Sequence, residues 1–284
     1  MGIRVVRFDK LTREDALALQ KRIVEYYTNP PEFYYDVADQ AAGQYTSTAY
    51  PFHCDLVGRI MSGASLLELG CGSAHLCPYV TSAGGSYTGI DHSQQLLRQN
   101  RARFPHARFF SVGTELRETF DVVASLYTIE HVVDPPLYLE SMWRFCKPGG
   151  LIAVICPDFV DGDGFPPSFF YGVTARHARE KLLSLAIADV LGHLLDLLWF
   201  APQWKREARS SLPGAFWINV KPRILHGAAY SIDADAIHLP RLKDLIWWLE
   251  ARGASVIETS RSLSGVSETV LKHNCYVVAR KPIV

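Results

Sequence analysis

Short apolar runs recur along the middle of the chain, and stretches with the 3.6-residue spacing of a helix separate them. Residues 65–69, 86–91, 107–112, 120–126 and 151–156 read as buried strands. Residues 74–83, 93–104 and 135–146 read as helices, with Ser93 as an N-cap and Lys147-Pro148-Gly149-Gly150 closing the third. This alternation predicts a parallel, doubly wound α/β sheet. Upstream, Thr12 caps a helix running to about residue 27, which Asn29-Pro30-Pro31 stops; 51–63 is helical again. The alternation breaks at Pro157. Residues 158–238 fit no further βαβ unit and hold a long apolar segment at 181–200. It then resumes with a helix at 239–252, closed by Gly253, and strands at 254–261 and 274–280 that suit an antiparallel hairpin.

Composition narrows the class. Of 284 residues, 48% are hydrophobic, enough for a sizeable core. Lys+Arg and Asp+Glu stand at 29 each, so the basic excess of a nucleic-acid coat protein is missing and no nucleic-acid partner is expected. The six cysteines form no C-x-x-C pair and no zinc-spaced set with histidine. No metal is therefore expected, and Cys146 and Cys156 read as small core residues. The first ten residues lack an apolar stretch of signal-peptide length, which points to a reduced, cytoplasmic protein.

The densest chemical signal is Leu66-Leu67-Glu68-Leu69-Gly70-Cys71-Gly72-Ser73-Ala74, entered by a strand and left by a helix. Gly70 and Gly72 let the backbone turn sharply and let a ligand approach. Asp91 ends the next strand, where an acid can accept both hydroxyl hydrogens of a ribose. His75 stands where a dinucleotide fingerprint has its third glycine. A carboxylate at Glu68 repels a phosphate and suits a cationic sulfonium ligand.

Together these residues resemble the first motif of class I S-adenosylmethionine-dependent methyltransferases. The resemblance continues through GIDHS at 89–93, FDVVAS at 120–125, Ile129-Glu130-His131 with Asp134-Pro135, CKPGG at 146–150 and LIAVICPD at 151–158. It is strongest to the small-molecule branch, which includes ubiquinone-biosynthesis methyltransferases. It implies a Rossmann-like, mostly parallel seven-stranded sheet ending in an antiparallel hairpin, S-adenosylmethionine as cofactor, and a small-molecule acceptor. By the same resemblance Glu68, Gly70 and Gly72 border the methionine end of the cofactor. Asp91 holds the ribose, His92 sits beside the adenine, and Ser125 and Tyr127 line the pocket. The family often carries an aspartate after its third strand; here Thr114 or Glu115 takes that place.

The same comparison divides the chain into an N-terminal helical lid segment, 1–61, and a cofactor-binding domain, 62–284, with a capping helical insertion at 158–238. Tyr35 and Tyr45, in the tyrosine-rich stretch 34–50, are the lid residues expected to reach the substrate. Methyl transfer is an in-line displacement that sometimes requires removal of a proton. His131, beside Glu130 on the loop after the fourth strand, is the first candidate for a base or acceptor contact; the alternative is structural capping of the next helix. Resembling enzymes sometimes hold a metal with an acid-rich version of this stretch, but Tyr127 occupies the upstream acidic position. In 181–200, Asp189, His193 and Asp196 share one helical face. That stripe reads first as a solvent face; otherwise Asp189 and His193 line an acceptor pocket. Trp199, Phe200, Trp204, Lys205, Arg206 and Arg209 follow, a pattern compatible with peripheral membrane contact. Trp247 and Trp248 suit the core or a homodimer contact equally. The competing readings are non-methyl chemistry on the same fold, such as cyclisation, or binding alone. An NAD-dependent enzyme is disfavoured by Glu68 and His75. A base-methylating enzyme is disfavoured because Asp134-Pro135-Pro136-Leu137 lacks the aromatic residue that stacks a flipped base.

Overall fold

A computed structural model of the chain describes residues 5–30, 32, 34, 35, 50–162, 178–183, 187–222, 235–264 and 273–283. Five strands run parallel: β2 (Ser65–Leu69), β3 (Ser86–Asp91), β4 (Arg108–Ser111), β5 (Phe120–Leu126) and β6 (Cys146–Pro157). With β8 (Ser255–Thr259) and β9 (Asn274–Arg280) they form one sheet in the order β4-β3-β2-β5-β6-β9-β8. β9 runs antiparallel to both of its neighbours, as the hairpin reading requires. Strand order reverses between β2 and β5, and a crevice opens at the carboxyl ends of strands at such a switch point.

The parallel strands are largely apolar along their centres because both faces are covered. Leu67, Val123, Ile152 and Val277 pack beneath α5 (Pro135–Phe145) and α9 (Leu242–Glu250), meeting Leu139, Met142 and Leu245. The alternate residues Leu66, Val122, Ala153 and Tyr276 face α2 (Pro51–Arg59), α3 (Cys77–Ser82) and α4 (Gln94–Arg103), meeting Phe52, Leu56 and Leu97. Each such fully buried side chain contributes about 1.5–3 kcal/mol. The helix starts follow local chemistry. Thr12 accepts from Asp15 N at 3.1 Å to open α1 (Arg13–Thr28), Ser93 from Leu96 N at 3.3 Å, and Asp134 from Leu137 N at 2.9 Å.

Two boundaries move. α3 begins at Cys77 rather than residue 74, because Ala74 takes φ +55° and extends the glycine turn. β6 begins at Cys146, since Cys146 pairs with Phe120 before the register shifts and Val122 meets Leu151.

A second, two-stranded sheet has no counterpart in the sequence pattern. β1 (Val5–Arg7) pairs antiparallel with β7 (Trp217–Asn219), and Ile218 bridges to His238. Leu19 and Ile23 of α1 pack with Val133, Ile218 and Ile237, so α1 and both ends of the ribbon sit beside the segment that follows β5. The insertion also carries α6 (Ala178–Leu183), α7 (Ile187–Leu195), a π-helical turn at Asp196–Phe200 and α8 (Ala201–Ser210). The helix expected at 181–200 passes into π-helical geometry over its last five residues. Among the described residues no helix is long and apolar enough to cross a membrane. Trp248 is a core residue, whereas Trp247 is half exposed and lies over Gly214. Arg241 pins α9 to α8. Its guanidinium contacts Asp244 Oδ1 at 2.7 Å and donates to Ala208 O at 2.5 Å, with both partners of the ion pair 1% exposed.

Candidate active site

The chain leaving β2 turns through three left-handed residues, Gly70 (φ +74°), Gly72 (φ +47°) and Ala74. A Cβ on Gly70 would lie 2.2 Å from Thr128 Oγ1, so no side chain fits there; one on Gly72 would meet nothing within 4 Å. Backbone and side-chain bonds clamp the turn. Gly70 N and Cys71 N donate to Ile90 O at 2.8 and 3.0 Å, and buried Asn100 donates to Gly72 O at 2.7 Å. Asp91 accepts from Gly72 N at 2.9 Å through Oδ2 and from Ser93 N at 2.8 Å through Oδ1. Burial raises its carboxyl above the usual range, and these N–H donors oppose the rise. Each oxygen retains acceptor capacity for a hydroxyl.

These groups form one wall of a cavity of 640 Å³ that Glu68, Gly70, Gly72, Asp91, His92, Thr114 and Tyr127 all line. Glu68 is 4% exposed and accepts from the Tyr87 hydroxyl. Burial, reinforced by Asp91 and opposed by the Tyr87 bond, pushes its carboxyl up to about 8. The carboxylate expected from sequence is thus mainly a carboxylic acid at neutral pH, and a neighbouring cation favours its ionisation. Burial lowers the His92 imidazole, and Asp91 opposes that shift. Thr114 reaches the wall because Val112 N bonds Asp91 O at 3.1 Å and Thr114 N bonds Ser111 O at 3.1 Å; Glu115 projects to solvent.

Ser125 does not line the cavity. It is fully buried under α5, its Oγ lies 2.9 Å from the Tyr138 hydroxyl, and Tyr138, which donates to Leu69 O at 3.1 Å, forms the wall in its place. Tyr127 adopts φ +51°, bonds Tyr50 through its hydroxyl, and donates to Asn274 Oδ1 at 3.1 Å.

The cavity is also lined by Glu130 and His131 of the 3-10 turn Ile129–His131. Glu130 is fully buried, and His131 Nε2 stands 4.0 Å from its Oε1. His131 Nδ1 stands 3.6 Å from Asp235 Oδ2. The Tyr27 hydroxyl donates to the same Asp235 oxygen, and its ring centre lies 5.4 Å from that of His131. Gln20, Ile23 and Tyr27 of α1 also reach the cavity. The i, i+4, i+7 stripe of Leu19, Ile23 and Tyr26 gave a helical signal for the buried face of α1 but not for its place over the cavity. Asp235 lies in a region without periodicity, where no local signal marks it. His53 was also missed. It is 2% exposed, its Nε2 has no hydrogen-bond partner among the described residues, and burial beside His75 pushes its imidazole down to about 4.

Tyr35 is not among the residues lining the cavity; its hydroxyl lies 3.5 Å from Ser93 Oγ. Tyr45 lies outside the described residues. Asp189 and His193 belong to α7, but their side chains lie outside the described set. Among the described residues no three His, Cys, Asp or Glu side chains are grouped as a metal site.

The arrangement fits an adenosine-type ligand without a pyrophosphate. The open face of Gly72 admits close approach, Asp91 offers two acceptor oxygens, and His75 stands where close helix approach to phosphate needs glycine.

Comparison with known proteins agrees. A family model described as a methyltransferase domain matches residues 45–259. The ubiquinone biosynthesis O-methyltransferase of Pseudomonas fluorescens (strain Pf0-1) is 30% identical over 184 residues, covering 62% of this chain and 75% of the relative. That of Nitrobacter winogradskyi is 26% identical over 156 residues, covering 52% of this chain and 57% of the relative. Two solved structures share the fold. An S-adenosylmethionine-dependent methyltransferase from Mesorhizobium loti has TM-score 0.50 and 13% identity, covering 83% of this chain and 98% of its own. The 1,6-didemethyltoxoflavin-N1-methyltransferase of Burkholderia thailandensis has TM-score 0.50 and 14% identity, covering 96% of this chain and 91% of its own. With the motif, the strand order and the family match in agreement, this chain belongs to the methyltransferase domain family, as a class I enzyme of the small-molecule branch that takes S-adenosylmethionine as its cofactor.

Proposed function

We propose that the enzyme methylates a hydroxyl of a small aromatic or amphipathic acceptor, with His131 taking the hydroxyl proton. The observation that carries this reading is that His131 lines one cavity with the glycine turn and Asp91 and stands 4.0 Å from Glu130 Oε1 and 3.6 Å from Asp235 Oδ2. The bound cofactor supplies an electrophilic methyl group on a sulfonium. Asp91 orients the ribose, His92 and Thr114 flank the adenine, and Glu68, Gly70, Gly72 and Tyr127 border the methionine portion. Tyr27 and Tyr34 offer aromatic walls to the acceptor. The relatives' designation as O-methyltransferases supports oxygen as the acceptor atom.

In this reading residues 1–61, including Tyr35 and Tyr45, serve as a lid, and the insertion at 158–238, with Asp189 and His193, caps the acceptor end. Six free cysteines support a reducing, cytoplasmic setting. Leu182, Leu183, Ile187, Leu191, Leu198 and Trp199 are exposed on the insertion, which supports peripheral membrane contact as a use of that face; a homodimer contact is the other use it suits. Co-sedimentation with anionic vesicles tests this; a protein that stays in the supernatant overturns it.

The deciding experiment pairs calorimetry with transfer of a labelled methyl group. S-adenosylhomocysteine should bind wild type at micromolar concentration and the Asp91→Ala variant at least tenfold more weakly. A panel of catechols supplied with labelled S-adenosylmethionine should yield methyl ethers, and His131→Gln should abolish them. Binding with no methylated product from any hydroxyl acceptor would favour non-methyl chemistry and overturn the proposal.

A further inference from the structure

The insertion contributes to the reacting end of the site as well as lying near it. Its last described stretch is fastened to the turn that bears His131. Ile237 N and His238 N both donate to Glu130 O, at 2.8 and 2.9 Å, and His238 Nδ1 lies 3.2 Å from Ile129 O. The same stretch is tied to the ribbon by Asn219 N to Ile237 O at 2.7 Å, Leu239 N to Trp217 O at 2.8 Å, and Asn219 Nδ2 to Ala236 O at 3.1 Å. These bonds fix the backbone that directly follows Asp235, which is itself 3% exposed.

Among the described residues, the charged or titratable groups that face His131 come from three elements. Glu130 is on its own turn, Asp235 comes from the insertion, and Tyr27 comes from α1. The Tyr27 hydroxyl donates to the same Asp235 Oδ2. A carboxylate 3.6 Å from Nδ1, an ion-pair distance longer than a hydrogen bond, favours by its charge the tautomer with its hydrogen on Nδ1, leaves the lone pair on Nε2, and stabilises the imidazolium that forms when Nε2 takes a proton.

Resting on the reading of His131 as the base, we infer that Asp235 is its positioning residue, so the insertion supplies part of the catalytic apparatus. In the step it serves, the acceptor O–H bond breaks as the O–CH₃ bond forms, and the proton goes to His131 Nε2. The pair of electrons of the S–CH₃ bond stays on sulfur. The Asp235 carboxyl group, 3.6 Å from Nδ1, faces the imidazolium charge.

The test uses the full chain loaded with S-adenosylhomocysteine and labelled with ¹⁵N-histidine. The ring signals of His131 are assigned by their loss in His131→Gln. Wild type should show the Nδ1–H tautomer, and Asp235→Asn should shift His131 to a predominantly Nε2–H form. Tyr27→Phe, which keeps the carboxylate, should leave the tautomer unchanged. Cofactor affinity in Asp235→Asn should stay within about twofold, which separates positioning from unfolding. With 4-methylcatechol as acceptor, Asp235→Asn should lower kcat about 10²-fold with KM little changed. An unaltered His131 tautomer in Asp235→Asn overturns the inference. A tautomer that responds to Asp235→Asn while His131→Gln methylates 4-methylcatechol at the wild-type rate overturns the assignment of His131 as base, and leaves the Asp235 contact standing as structure alone.

Discussion

Tyr87 on β3 donates its phenolic hydrogen to Glu68 on the neighbouring strand β2, and both side chains are buried in the sheet beneath the glycine turn. The bond satisfies one oxygen of an acid that stands close to a second acid, Asp91, and burial leaves it holding a proton up to about pH 8.

The pH dependence of stability follows. Between about 4.5 and about 8 the native protein keeps a proton on Glu68 that the unfolded chain has released. Stability attributable to this group therefore falls as pH rises through that window. In thermal melts of ligand-free protein from pH 5 to 8.5, Glu68→Gln should flatten the alkaline side of the profile. An unchanged slope would show that Glu68 is already ionised.

Two histidines act on the acid side. Burial lowers His53 to about 4 and His238 to about 3, both from 6.5. Below 6.5 the unfolded chain takes up protons that the native chain refuses, so stability is lost as pH falls from 6.5 toward these values. His53→Phe should remove the His53 share, seen as a smaller loss in melting temperature between pH 6.5 and 4.5. The prediction fails when wild type and variant melt in parallel over that range.

The two glycines of the turn should respond differently to alanine. Gly70→Ala meets Thr128 at 2.2 Å and adds a strained left-handed residue, so a loss of about 2–4 kcal/mol and of cofactor binding is expected. Gly72→Ala meets no atom and costs only about 1–2 kcal/mol for its positive φ. Its methyl group faces the cavity, so binding of S-adenosylhomocysteine should drop more than stability does. Denaturant melts and calorimetry on both variants separate the two effects.

Arg241 and Asp244 form a buried pair whose partners depend on each other. Arg241→Met alone leaves the Asp244 carboxyl without its cation and should cost about 3–5 kcal/mol. The double variant Arg241→Met, Asp244→Leu should recover most of that. Recovery is limited by Gly214 N, which then loses its 2.8 Å bond to Asp244. Equal destabilisation of the single and double variants would mean that packing of the guanidinium stem dominates.

The wall residues of the cofactor site were legible because their requirements are local. Asp91 follows directly from the end of an apolar strand, and Gly70 from a turn whose backbone must go left-handed. The bounds of β2, β3, β5 and β9 were legible for the same kind of reason. Strands buried on both faces are continuous apolar runs that polar loops interrupt. Ser125 was misplaced because a pocket-edge strand gives the same apolar signal on both of its faces, and only the packing of Tyr138 over it shows which face is closed.

The chain's own pattern determined the fold class, the bounds of the central strands and the glycine turn with its following acid, since periodicity and turn chemistry act over a few residues. Only the tertiary structure decided that Asp235 stands beside His131, that β1 pairs with β7, and that Glu68 and His53 are buried deeply enough to change their ionisation. Those relationships join segments distant in sequence. Periodicity reports that a face is buried but not what it is buried against, and ionisation depends on the solvent and charges that the assembled neighbours exclude or supply.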